Sequence, residues 1–329
     1  MVKLRDAGYC NLKLLLLFLV VYGHWIEPHI WNSQWLKTQY RWIYMVHMPL
    51  FCFLSGLFLR DRRSCGAQLR HILQVYLLAQ GAAVVLGGGR VTVLTPYWHL
   101  WYLLSLSCWL GAAWLWFRFG KGKGGGGILV LLILLGCGAR YGSRIGRTLS
   151  LSRTMVFFPY FWAGLLCRRD FLWKKLRLPG FLALGLAILL IKQWGAQIPT
   201  TFLYHAEPYG SVKNGFGLRL LCYGIGSLLC LFLLTMVPDR RFPWSRAGAD
   251  TMPAYLIHAP IVYVLRQQPL PWWCCGGLTV IFLYLTYKVT QWRGAMYGLV
   301  PGERREKRWQ VFRKSTKNTE NRCTGSSYP

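Results

Sequence analysis

An otherwise apolar run, LLLLFLVVYGHWIEP over residues 14–28, closes with a histidine, His24, and a carboxylate, Glu27, one helical turn later. Imidazole suits proton transfer near neutral pH, because its unperturbed pKa of ~6.5 leaves it largely uncharged and able to accept. Lys13 stands eleven residues before His24. At ~100° per residue, eleven steps return to within about 20° of the same helix face, with a rise of ~16 Å. One stripe therefore carries a cation at one end and a base at the other. Glu27 has two readings: it orients the His24 imidazole and stabilises its cation, or it caps the helix exit at Pro28. Three further histidines fall in or beside apolar segments. His47 precedes Pro49 by two residues in YRWIYMVHMPLFCFLSGLF (40–58), where proline removes a helix hydrogen bond and frees the Met45 carbonyl. His99 opens WHLWYLLSLSCW, in which Trp98, Trp101 and Tyr102 suit an interfacial aromatic belt or a site wall. His258, in AYLIHAPIVYVL, lies between Pro253 and Pro260 on a kinked segment that could wall a site. Each of the four histidines also reads as a packed, hydrogen-bonded core residue.

The elements that carry these residues are apolar helices. The chain has 329 residues, 54% of them hydrophobic and 16% aromatic, and a mean hydropathy of +0.31, too apolar for one soluble core to hide. Its apolar residues gather into runs at 12–30, 40–59, 71–88, 97–117, 127–139, 154–167, 179–195, 215–237, 250–266 and 272–289. Most approach the length that crosses ~30 Å of hydrocarbon as helix. The expected fold is all-α, a polytopic membrane bundle of about ten transmembrane helices over residues 1–290, followed by a basic, flexible cytoplasmic tail at 291–329.

The net charge of +29 follows topology rather than nucleic-acid binding. Positive residues cluster between the runs, at 60–70, 117–127, 168–177, 239–246 and 293–317. With about ten spans and both termini cytoplasmic, all five clusters share the cytoplasmic side, as the positive-inside rule requires. Segment 139–153, with Arg140, Arg144, Arg147 and Arg153, breaks that rule. Either the short spans on each side are miscounted, or the segment dips inward and its arginines hold an anion. The eleven cysteines show no CxxC or Cys/His spacing, so neither a metal site nor a disulfide framework is expected. The first run ends in GHWIEP rather than a small-residue cleavage site, which argues against a removable signal.

VVYGHWIEP, HMPLFCFLSGLF, PYWHLWYLLSL, SLSRTMVFFPYFWAGLL and AYLIHAP, in this order, resemble the type-three membrane acyltransferase family, in particular its bacterial fucose 4-O-acetylase-like branch. The resemblance covers about residues 10 to 290. It implies about ten transmembrane helices in the bacterial cytoplasmic membrane, and transfer of acetyl from acetyl-CoA, without metal, to hydroxyls of cell-surface carbohydrates. It also implies an essential histidine at His24 with its basic partner at Lys13, a position where relatives often carry Arg. The family's RxxR pair falls on Gln68 and His71, with Arg70 beside them. On this reading Lys13, Arg60, Arg63, Arg70 and His71 hold the CoA phosphates. His24 is the general base, or alternatively carries a covalent acetyl. Glu27 supports it, and Arg153 stabilises the oxyanion or grips the acceptor. His47, His99, Trp101 and His258 wall the site, and Tyr204, His205, Glu207, Tyr209 and Asn214 are suited to meet a sugar. The expected partners are the carbohydrate acceptor and membrane lipids, with no nucleic acid. A transporter of a lipid-linked or small substrate, or an inactive scaffold of the same family, are the competing readings.

Overall fold

The computed structural model describes residues 4–296 apart from 60, 87–91, 93, 121–122, 140, 142–147, 169–170, 172, 206–208, 210–211, 213 and 269. Among the described residues there are ten α-helices, several short 3-10 turns and no strand. The helices are α1 (Leu4–Ile26), α2 (Gln34–Leu57), α3 (Arg62–Leu86), α4 (Trp101–Phe119), α5 (Gly125–Gly138), α6 (Leu151–Leu166), α7 (Arg177–Trp194), α8 (Gly215–Met236), α9 (Met252–Leu265) and α10 (Cys274–Met296). Apolar runs choose this form because a helix satisfies its own backbone donors and acceptors, which hydrocarbon cannot do.

Each expected apolar run falls on one helix, but the helices are unequal. Among the described residues four segments are long and apolar enough to cross a membrane: Ala7–His29, Arg62–Leu86, Trp173–Gln197 and Gly215–Met236. α5 and α9 are apolar but have only 14 residues, about 21 Å of helix against ~30 Å of hydrocarbon. α2 is long enough, with 24 residues, yet Lys37, Thr38, Gln39 and Arg41 near its start dilute its apolar character. Of the expected basic tail, residues 297–329 lie outside the described residues.

Two contacts set the frame for the site. α2 and α6 cross backbone against backbone at Gly56 and Gly164. A Cβ added to Gly56 would strike the Phe161 carbonyl, and one on Gly164 would strike the Phe53 carbonyl. Only glycine lets the two helices approach so closely. His47 stands nine residues before Gly56 and Arg153 eleven before Gly164, so this crossing governs how those two side chains face each other. The Met45 carbonyl released by Pro49 packs against Gly226 of α8, where a Cβ would come within 3.0 Å of it. The start of α1 is held separately: Asn11 Nδ2 donates to the carbonyls of Pro238 and Arg240, each at 2.9 Å, and its Oδ1 accepts from Ser245.

Adding one methyl at the crossing tests its tightness. Gly164→Ala should destabilise the protein by about 1–3 kcal/mol through overpacking. Gly224→Ala, at a helical glycine with nothing within 4 Å, should instead be neutral or stabilise by up to about 1 kcal/mol. Thermal and denaturant unfolding in detergent read both values.

Candidate functional site

Glu27 organises the end of α1. Pro28 stands in a 3-10 turn, Glu27–His29, that follows α1. The Glu27 carboxylate meets three partners. Its Oε2 lies 3.8 Å from His24 Nδ1 and 3.3 Å from Arg266 Nη1, while Oε1 accepts from the Tyr40 hydroxyl at 3.4 Å. Arg266, just past the end of α9, also stacks over Trp98 with its guanidinium carbon 5.6 Å from the ring centre. Trp98 in turn presents its ring to His24 at 4.7 Å. His24 is thus gripped between a carboxylate and an aromatic face that share one arginine.

The remaining histidines converge on the same place. His258 of α9 lies 5.5 Å from His24 between ring centres and 24° from parallel, and His99 lies 5.3 Å from His258. His99 is buried, with 6% of its surface exposed. The Tyr255 hydroxyl donates to the His99 carbonyl, which fixes the turn entering α4 against α9. His47 donates from Nδ1 to the Ile43 carbonyl at 2.7 Å and packs edge-on to Tyr44. Because a carbonyl only accepts, that bond places the proton on Nδ1 and leaves Nε2 as an acceptor.

Arg153 stands in the first turn of α6. The turn before it, Thr148–Ser150, holds Leu149 and Ser150 at φ values of 49° and 55°, a region that side-chain-bearing residues rarely enter and that is often found beside functional groups. Arg153 Nε donates to the Tyr204 carbonyl at 3.0 Å, and the guanidinium lies 5.1 Å over the Trp101 ring. Of the four arginines in the anomalous segment, Arg153 therefore reaches the interior; Arg140, Arg144 and Arg147 lie outside the described residues.

These groups line one cavity of about 540 Å³, within the usual size for small-molecule sites. All seven residues expected to react or to wall a site border it: His24, Glu27, His47, His99, Trp101, Arg153 and His258. The basic residues expected to bind a cofactor do not. Lys13 lies back along α1, its Nζ 5.1 Å over the Phe58 ring, and Arg63, Arg70 and His71 are exposed on α3. Arg60 lies outside the described residues, as does Glu207. Tyr204 and His205 do reach the cavity, whereas Tyr209 is buried beside it, donating to the Cys137 carbonyl at 2.8 Å.

Two arginines escaped the sequence reading. Arg219 of α8 is 1% exposed, and its Nη1 lies 2.5 Å from His205 Nδ1 while Nη2 donates to the Phe202 carbonyl at 3.3 Å. A guanidinium only donates, so His205 Nδ1 is an acceptor and its proton sits on Nε2. An arginine inside an apolar span is itself a functional signal, and that rule applied to residues 215–237 finds it. Arg266 carries no such signal, because it stands at the end of its apolar run rather than inside one, where the cost of charge would single it out.

The family described as Acyltransferase domain (Acyl_transf_3) matches residues 8–288 of this chain. Nodulation protein NolL of Sinorhizobium fredii is 40% identical over 55 residues, a stretch that makes up 16% of this chain and 15% of that protein. No solved structure matches.

The Glu27–Arg266 pair is tested by a double-mutant cycle with Glu27→Gln and Arg266→Gln. The side chains are 22% and 26% exposed, so the pair is partly screened and the expected coupling is about 1 kcal/mol in unfolding free energy. A coupling indistinguishable from zero would show that the two side chains act independently.

Proposed function

The chain belongs to the type-three acyltransferase family, and from that premise we propose that it transfers an acetyl group from acetyl-CoA to a hydroxyl of a carbohydrate, using His24 as general base. The coarser statement needs no proposal: this is a multi-pass membrane protein with an acyltransferase domain. One observation carries the finer reading. A histidine with a carboxylate on its Nδ1 side, an arginine from another helix and three further histidines border a single cavity inside that domain.

The proposed chemistry follows from what each residue can do. Acetyl-CoA supplies a thioester whose carbonyl carbon is the electrophile. Glu27 faces His24 Nδ1, which favours the proton on that nitrogen and leaves Nε2 to take a proton from the acceptor hydroxyl as its oxygen attacks. Glu27 then stabilises the imidazolium, and His24 passes the proton to the departing thiolate. The products are an O-acetyl ester and free CoA, so no other reactant is needed. Arg153, held by the Tyr204 carbonyl and the Trp101 ring, provides a fixed cation for the negative charge that develops on the carbonyl oxygen. A preorganised cation beside aromatic side chains in a partly buried site is worth more than the same charge in water.

The CoA phosphates fit a separate place. Lys13 lies about 16 Å along α1 from His24, and Arg63, Arg70 and His71 offer exposed donors on α3. In the proposed orientation that basic end faces the cytoplasm of a bacterial cell and the histidine cluster faces the acceptor, a cell-surface or lipid-linked carbohydrate.

Purified protein in lipid nanodiscs with labelled acetyl-CoA and an acceptor tests the assignment. His24→Ala should lose at least about 10²-fold in transfer while still binding acetyl-CoA; full transfer by that variant would refute the base. Arg153→Lys, which keeps the charge but not the fixed planar fork, should lose about 10²-fold in kcat. Labelled acetyl trapped on the protein without acceptor would assign His24 a covalent role instead.

A further inference from the structure

His258 is the most fully buried of the cavity histidines, with 0% of its surface exposed. Its Nδ1 lies 2.5 Å from the Tyr255 carbonyl. The carbonyl only accepts, so Nδ1 carries the proton and Nε2 presents a lone pair. Nothing among the described residues donates to that Nε2, although the atom is buried. His99 lies 5.3 Å away between ring centres, without a hydrogen bond to it. A buried acceptor left unmatched is costly, and in a native site it calls for a partner. Here the ring borders the cavity.

We propose that His258 selects acceptors carrying a second hydroxyl next to the one that is acetylated. The proposal rests on the acetyltransferase reading and adds to it the class of acceptor, a vicinal diol. The argument is a count of protons. The attacked hydroxyl has one proton, and it goes to His24. His258 Nε2 therefore needs a different donor. The ring centres of His24 and His258 lie 5.5 Å apart and the rings within 24° of parallel, and hydroxyls reach their acceptors over about 2.8 Å, a spacing that suits adjacent hydroxyls of one sugar ring. An acceptor lacking the second hydroxyl would leave Nε2 buried and unmatched in the transition state. A site built around such a hydrogen bond rejects the analogue that lacks it far more strongly than an apolar pocket rejects a missing methylene.

The full-length protein in nanodiscs, with labelled acetyl-CoA, is assayed on the methyl glycosides of fucose, galactose, glucose and mannose. Deoxy analogues of whichever is acetylated, each lacking one hydroxyl beside the reacting position, are then compared with the parent. The wild-type protein should favour the parent by about 10²-fold or more in kcat/KM. In His258→Leu that ratio should fall to within about threefold of unity, and in His258→Gln, whose side-chain oxygen still accepts, it should stay above about tenfold. Equal kcat/KM for parent and deoxy analogues in the wild type would overturn the role of His258 and leave the acetyltransferase reading standing. So would a ratio that survives in His258→Leu. Transfer to none of the glycosides would overturn the reading on which the role rests.

Discussion

The carboxylate of Glu27 is where the site is joined together. It faces His24 from α1, takes a hydrogen bond from Tyr40 of α2 and pairs with Arg266 past the end of α9. An ionised carboxylate placed among apolar helices must find compensating charge and donors or lose the solvation that keeps it charged. Meeting that demand pulls three helices to one point. Arg266 then holds Trp98, and Trp98 holds the other side of the imidazole. Removing the carboxylate would leave Arg266 uncompensated as well as freeing His24, so the position of the histidine and the packing of α9 depend on the same group.

Around that junction the cavity acquires a polarity of hydrogen bonding. His47 and His258 each give their Nδ1 proton to a carbonyl of their own helix, so both offer acceptor lone pairs. His205 is the opposite case, since Arg219 presses a donor against its Nδ1 and leaves the proton on Nε2. With Arg153 nearby on the carbonyl of Tyr204, one part of the wall is rich in donors and another in acceptors. Deprotonating a hydroxyl while charge builds on a neighbouring carbonyl oxygen requires both kinds of wall. The three residues that hold these tautomers, Ile43, Tyr255 and Arg219, supply two backbone carbonyls and one buried guanidinium, groups with no freedom to exchange roles.

Much of the fold was legible because helix is the form in which an apolar run satisfies its own backbone in lipid. Each of the ten apolar runs corresponds to one helix. Their ability to cross a membrane was harder to read. α5 and α9 are apolar but short, and α2 begins with polar residues that belong to its entry turn. The reacting residues were legible for a related reason: His24, His47, His99 and His258 stand out where polar groups are expensive. Arg219 was equally conspicuous by that rule, lying inside a run, and was passed over. Arg266 was not conspicuous, because it stands at the end of its run rather than inside it.

By itself the sequence determined which chemistry was available: an imidazole with a carboxylate one turn away, a cation on the same stripe, and three more histidines in apolar segments. Those are local facts, set by residue type and by the 3.6-residue period. Only the tertiary structure decided that His24, Glu27, Arg153 and His258 share one cavity while Arg63, Arg70 and His71 stand apart on α3. It alone decided that Glu27 meets His24, Tyr40 and Arg266. The reason is that partners such as Arg266 lie 239 residues from Glu27 along the chain, and no periodicity within a helix reports which distant helix will pack against it.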